Sequence, residues 1–474
     1  MLFCSQKFLL FFLGVFAVYW IVRHTRFRIL LLLAASFYFY ASWNKWLALV
    51  IAVSATIDYA VALGLDAIAI PWRRKCLLVV SLAGNLGLLA YFKYADFFLH
   101  SLEELLHAAG DTTSLPVLKV IVPIGISFYT FEAISYTVDV YRKRTPAERN
   151  LFHFLLFITF FPHLVAGPIV RARDFLPQIR RPKKWSWLRF ELGFQFIVLG
   201  LFKKMAVADH LALYVDPVFA SPMNYGSGAI WLAMLAYVLQ IYCDFSGYSD
   251  MAVGAAHMLG YKLTKNFDMP YIAKNVAEFW QRWHISLSTW LRDYVYIPLG
   301  GSRGGRWFVC RNLMITMLLG GLWHGASWAF IFWGFLHGSM LVLHRLFREF
   351  CQSRPALDAA LTSAPGTLLR WSVTFLFLTW SLAFVRALSF GDAWGVLHRL
   401  VIPHGGLSAP LPALSLWYTL AAFAIGHALV YTGAWKTFSA RLSAPAQGLG
   451  YAAAFSLALM LAPGTTKTFI YFQF

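Results

Sequence analysis

The sequence predicts an all-α, polytopic membrane protein, and three observations carry that expectation. Of 474 residues, 59% are hydrophobic and only 13% are charged, where soluble domains carry about 25% charged residues. Apolar runs of about 20 residues, each long enough to cross a bilayer, recur from end to end. Lys and Arg gather between those runs, so the net charge of +19 serves topology and anionic lipid headgroups. That placement excludes nucleic acid as the partner of the charge and names membrane lipids instead. The 20-residue rule gives roughly 11 to 13 spans. No internal repeat, low-complexity stretch or linker divides the chain, so residues 1–474 are read as a single domain. The five cysteines are scattered without a CxxC pair, which indicates neither a metal site nor a disulfide framework.

The elements follow in order. Residues 8–22 form the first span; no small-residue cleavage site follows, so it reads as a retained helix. A basic loop at Arg23, Arg26 and Arg28 precedes spans at 29–42 and 46–65. Arg73, Arg74 and Lys75 precede a span at 77–91, and an acidic loop with Asp96, Glu103, Glu104 and Asp111 comes next. The positive-inside rule puts the basic loops in the cytoplasm and the N-terminus in the periplasm of a bacterial inner membrane. Residues 120–141 carry Glu132 and Asp139 and are no plain anchor; Arg142-Lys143-Arg144 follows as a cytoplasmic loop.

Residues 151–169 read as another span, but simple alternation then puts the strongly basic segment 171–189 outside. Either 151–169 is re-entrant, as is tolerated where backbone lines a cavity, or a span is miscounted. Further spans are expected at 190–207 and 230–252. Residues 261–311 are too polar to span and rich in aromatics, as interfacial or half-inserted helices are. Residues 313–346, broken at Gly320, Gly321 and Gly325, are a pair of spans or one kinked element. Runs at 371–385, 414–431 and 450–461 complete the set.

The stretch from Glu278 to Trp333 holds the chemistry. His324 lies in an apolar run, and an ionisable side chain at membrane depth marks a functional site by default. A neutral imidazole there can take a proton from a hydroxyl attacking an acyl carbonyl. The blander alternative is a histidine bonded to a neighbouring helix. His284, 40 residues upstream, is a second candidate. The loop Pro298-Leu-Gly-Gly-Ser-Arg303-Gly-Gly-Arg306 offers backbone amides and guanidinium groups suited to the phosphates of a coenzyme A donor; a flexible basic turn is the alternative. Asp244 and Asp250 are six apart and so not on one helical face; they read as partners of other buried polar groups. Glycoside hydrolysis is excluded for want of two opposed carboxylates in a cleft, and no GxSxG nucleophile elbow is present. His337 and His344 have no acidic partner at ligand spacing and read as a polar helix flank.

On these residues the chain resembles the membrane-bound O-acyltransferase (MBOAT) superfamily, and within it the bacterial alginate O-acetyltransferase (AlgI-like) branch. The carrying segments are Pro123-Ile-Gly-Ile-Ser-Phe-Tyr-Thr-Phe-Glu132, Asp139-Val-Tyr-Arg142, Phe161-Pro-His-Leu-Val-Ala-Gly-Pro168, Asp244-Phe-Ser-Gly-Tyr-Ser-Asp250, Glu278-Phe-Trp-Gln-Arg-Trp-His284 with its continuation to Tyr294, and Gly320-Gly-Leu-Trp-His324-Gly-Ala326. They cover most of residues 120–330; beyond about residue 390 only the closing segment 469–474 adds to them. Gln281 stands where relatives often carry Arg.

The resemblance implies a helical ring around a central tunnel, with His324 as the essential histidine of the Trp-His-Gly motif and His284 as the second. It also implies that Trp280, Arg282, Trp283, Ser286, Arg292, Asp293, Trp323 and Asp244 contribute, with Arg303 and Arg306, to the substrate or donor site. The implied reaction passes an acetyl group from cytoplasmic acetyl-CoA across the membrane toward a polysaccharide of alginate, cellulose or peptidoglycan type. No cofactor is bound, and a periplasmic SGNH-hydrolase-like acetyltransferase is the implied partner. Transfer of D-alanine from a carrier protein is the alternative enzyme reading. A transporter or scaffold ranks below both, because no two halves with corresponding broken helices are visible.

Overall fold

The computed structural model describes residues 1–118, 120, 122–411, 413–462 and 469–470; the side chains of 413–415 and residues 471–474 of the closing segment lie outside the description. The described residues form helices, with a lone bridge between Tyr225 and Leu407 and no extended strand. Among the described residues five helices are long and apolar enough to cross a bilayer: Lys45–Ala67, Pro71–Ala108, Ser227–Met258, Trp328–Gln352 and Ala364–Arg386. The shorter apolar helices Gln6–Ile21 and Leu416–Tyr431 accompany them. The expected 11 to 13 spans thus stand against five of full length, because several apolar runs fold as shorter pieces. The chain divides into two compact units, one of residues 1–197 with 251–264, the other of residues 198–250 with 265–474.

In the first unit the basic stretches expected as loops enter the first turns of the helices Thr25–Ala41 and Pro71–Leu89, and two of their arginines are tied to backbone oxygens. Buried Arg28 donates Nε to the Tyr19 carbonyl at 2.9 Å and Nη1 to that of Lys183 at 2.8 Å. Arg74 does the same with Tyr141 at 2.7 Å. These guanidiniums satisfy the carbonyls of Tyr19 and Tyr141 near helix ends, which lack intrahelical partners, and that of Lys183 in a loop. Two expectations change here. The acidic stretch after residue 95 is not a loop but the helix Ala95–Ala108, reached through a π-helical step at Ala90–Tyr94. Its apolar residues recur at helical spacing, which overrides the acidic composition.

The second change concerns residues 151–169. The helix Leu151–Thr159 has nine residues and stops at Phe160; Phe161–Leu164, with Pro162, forms a separate short turn. Nine residues rise about 14 Å, under half the hydrocarbon thickness of about 30 Å. The helix is therefore too short to cross by itself, in keeping with either alternative, a re-entrant segment or one span fewer. Buried Glu132 holds this broken backbone by accepting the Val170 N–H at 2.8 Å and facing His163 Nδ1 at 3.2 Å.

In the second unit a buried ionic cluster anchors the long helix Ser227–Met258. Lys204 Nζ lies 2.8 Å from Asp209 and 2.5 Å from Asp244, all three side chains about 3% exposed. Lys204 sits on the π-helical segment Phe202–Ala208. Asp244 also accepts the backbone N–H of Ile470 at 2.7 Å, and Asp250 pairs with Lys203 at 2.7 Å. Residues 313–346 resolve as two helices, Arg306–His324 and Trp328–Gln352. They pack with almost no side chain between them: a Cβ on Gly334 would meet the Met317 carbonyl at 2.4 Å. Small residues let membrane helices approach in this way.

Candidate active site

Three local structures in the second unit converge. The first is a break between the helices Val276–Arg282 and Ile285–Leu291, where His284 adopts the left-handed region with φ 43°. A non-glycine residue held there costs on the order of 1–3 kcal/mol and persists only where its surroundings over-determine it. Asn266 supplies that determination. Its backbone carbonyl accepts the Ile285 N–H at 2.9 Å, and its Oδ1 accepts the Ser286 hydroxyl at 2.9 Å and the Ser286 N–H at 3.3 Å. Its Nδ2 in turn donates to Ser249 Oγ at 3.3 Å. Sequence reasoning missed Asn266 because no local pattern joins it to a residue 18 positions away.

The second structure is the end of the helix Arg306–His324. His324 is its last residue, and the chain turns at Gly325, where a Cβ would strike the Phe330 ring at 2.2 Å. That contact is the physical reason for glycine after the histidine. The third is the start of the helix Trp328–Gln352, which brings Trp333 and His337 alongside.

The rings form one aromatic cluster. The His284 and His324 centroids are 6.4 Å apart at 70°, too far for a direct bond but close enough for one substrate to touch both. Trp323 lies 5.0 Å from His324 and 5.7 Å from His284. Phe245 meets His284 edge-on at 4.7 Å, and Trp333 meets His324 edge-on at 5.2 Å. His284 is 0% exposed and His324 is 7%. Burial pushes the His284 imidazole down to about 3, since the charged form has no water around it. It is neutral at physiological pH.

His337 belongs to this cluster rather than to a polar helix flank. The Trp280 indole N–H donates to His337 Nδ1 at 3.3 Å. Nδ1 is thereby an acceptor, which leaves Nε2–H to donate to Ser381 Oγ at 3.1 Å, and that hydroxyl donates to the Leu378 carbonyl at 2.8 Å. The chain of bonds fixes a neutral tautomer with both nitrogens occupied. His337 is a wall of the cluster.

The other sequence-derived candidates separate into two groups. Trp280, Trp283, Ser286 and Trp323 are buried in or against the cluster. Arg282 is a clamp: its Nε pairs with Glu278 at 3.0 Å and its Nη1 reaches the Asp268 carbonyl at 3.1 Å. Asp244 is committed to Lys204 and the Ile470 N–H. Arg292 pairs with Asp293 at 2.8 Å away from the cavity beside His324, and Arg303 is exposed on its loop. Arg306, 60% exposed, pairs with Glu349 at 3.0 Å. Gly300, Gly301 and Gly304 all take positive φ in that loop, which only glycine does readily. No group of three His, Cys, Asp or Glu side chains among the described residues is disposed to hold a metal.

The chain is 42% identical to the probable alginate O-acetylase AlgI of Pseudomonas aeruginosa over 397 residues, covering 83% of this chain and 74% of that protein. It is 37% identical to the peptidoglycan O-acetyltransferase of Helicobacter pylori over 422 residues, covering 82% and 77%. A teichoic acid D-alanyltransferase of Streptococcus thermophilus is 33% identical over 235 residues, covering 47% and 56%. Residues 16–385 match the membrane-bound O-acyltransferase family model. A buried histidine pair on an all-helical membrane scaffold, together with these matches, places the chain in the membrane-bound O-acyltransferase family, and it is an O-acyltransferase.

Proposed function

We propose that the protein takes an acetyl group from cytoplasmic acetyl-CoA and passes it across the bacterial inner membrane for O-acetylation of an exported or cell-surface polysaccharide. The observation that carries this reading is the buried histidine pair 6.4 Å apart beside a small apolar cavity. Relatives named for alginate and peptidoglycan O-acetylation support the acceptor class. His324 takes the proton of the acceptor hydroxyl as the new C–O bond forms and the donor C–S bond breaks. That proton then passes to the departing thiolate, which leaves the imidazole neutral again. His284, locked by its backbone, holds the second face of the reacting group. The guanidiniums of Arg303 and Arg306 serve the donor phosphates, with the Arg306–Glu349 pair exchanging for a phosphate contact. A periplasmic SGNH-hydrolase-like transferase completes the transfer, and the N-terminus faces the periplasm.

The test uses the full chain in detergent with acetyl-labelled acetyl-CoA. Wild type is expected to release free coenzyme A, and His324→Ala is expected to release none while keeping its melting temperature. Equal release by both overturns the base assignment. Release from a D-alanyl carrier protein but not from acetyl-CoA overturns the donor assignment and selects the reading of the D-alanyl relatives. In Arg303→Ala/Arg306→Ala the acetyl-CoA concentration for half-maximal rate is expected to rise; an unchanged value removes the loop from the donor site.

A further inference from the structure

His324 lines a cavity of about 30 Å³, together with Phe330, Trp333, His337, Leu378 and Val385. On a scale where one water needs about 10–15 Å³, this admits about two to three heavy atoms. An acetyl group has three, a methyl, a carbonyl carbon and its oxygen. Little in the walls is free to yield. His337 is held between Trp280 and Ser381. Its ring lies 4.5 Å from that of Trp333, which meets Trp280 at 5.8 Å. The small-residue seam of Gly321 and Gly334 fixes the helix on which Trp333 and His337 stand.

One polar atom of a residue that lines the cavity has no partner among the described residues. Trp333 is 6% exposed, and its indole Nε1–H bonds to none of the described residues. A buried donor left unpaired is costly, so such groups call for a functional reason.

We propose that this cavity is an acyl-length gauge: it seats a two-carbon acyl group against His324, with Trp333 donating its N–H to the acyl oxygen, and its back wall of Leu378 and Val385 excludes a third carbon. The proposal rests on the acyl-transfer reading above and adds the determinant of which acyl group is moved. One methylene in an apolar pocket is worth about 10- to 200-fold in discrimination, and a wall that cannot yield lies toward the upper end.

The experiment compares cells that depend on the wild-type full chain with cells carrying Leu378→Ala or Val385→Ala, all fed propionate. Acyl groups are released from surface polymer by alkali and counted by mass. Leu378→Ala shortens the wall but keeps the backbone carbonyl that accepts from Ser381. The propionyl-to-acetyl ratio is expected to rise about 10-fold or more in these variants. Two variants make the test robust to one of them misfolding. A ratio unchanged in a variant whose membrane level and melting match wild type overturns the gauge, as does a wild type that transfers propionyl as readily as acetyl.

Trp333→Phe removes the N–H and leaves a smaller aromatic ring in its place; it is expected to lower kcat at least 10-fold with KM little changed, and a normal kcat removes the Trp333 contact. The ratio is independent of which thioester supplies the group. Failure of the coenzyme A assignment, read with purified protein, is thus distinguishable from failure of the gauge.

Discussion

Gly321→Ala tests whether the helix seam positions the chemistry. A Cβ at residue 321 would lie 2.3 Å from the Phe330 carbonyl oxygen and 3.0 Å from Gly334 Cα, where ordinary contact begins at 3.4 Å. The shortfall of about 1.1 Å falls on backbone, which cannot rotate aside, so the helices Arg306–His324 and Trp328–Gln352 must part by about that much. His324 is three residues from the new methyl, and Trp333 is next to Gly334. Overpacking of this kind costs about 1–3 kcal/mol, and a 1 Å misplacement of a catalytic group costs about 100-fold in rate. Gly320→Ala is the control, because its Cβ meets only the tip of the Leu291 side chain, at 3.2 Å. Acyl transfer per folded molecule is measured in detergent beside thermal melting. The expected result is a roughly 100-fold lower kcat for Gly321→Ala in protein that still melts cooperatively, and a near-normal Gly320→Ala. Full activity in Gly321→Ala, or an equal loss in both variants, refutes the reasoning.

Three other perturbations probe the support of the site. Lys204→Met strands the Asp209 and Asp244 carboxylates in the interior; breaking such a buried cluster costs about 3–5 kcal/mol, and a melting temperature equal to wild type contradicts that role. Asn266→Ala removes the Oδ1 bonds that fix Ser286 beside His284 and is expected to cost about 1–3 kcal/mol and to lower kcat more than it raises KM. Equal activity shows that the left-handed backbone of His284 holds without Asn266. The pH profile is the third. Burial holds His284 at about 3, so between about pH 8 and pH 5 it stays neutral, and its proton uptake is deferred to about pH 3. An acid limb of kcat in that window therefore belongs to other groups. His284→Asn is expected to lower kcat without shifting the limb, and a midpoint that moves with this variant contradicts the assignment.

Composition and periodicity sufficed for the fold class, because a chain that is 59% hydrophobic and 13% charged can satisfy its backbone in lipid only through helices or closed barrels. The pairing of His284 with His324 was equally legible, since the motifs around both are contiguous in sequence. What the one-dimensional pattern misread were properties of packing. The acidic stretch after residue 95 is helical, and within 151–169, where charge placement had already signalled a conflict, the helix Leu151–Thr159 has only nine residues; hydropathy counts apolar residues but does not register a π-helical step or a break at Phe160. Asp244 read as the partner of another buried polar group, and packing supplied that partner, Lys204, 40 residues away.

His337 looked like a flank, and only the approach of Trp280 and Ser381 fixed its tautomer and made it a wall. Asn266 and Trp333 carried no motif at all. A hydrogen bond to the turn after His284 and an unpaired indole beside His324 are relations between distant segments. Sequence determined which groups the protein possesses and that they lie in a helical membrane scaffold. Tertiary structure decided which of them meet, because burial, tautomer and cavity size arise only where separate helices close around the same point.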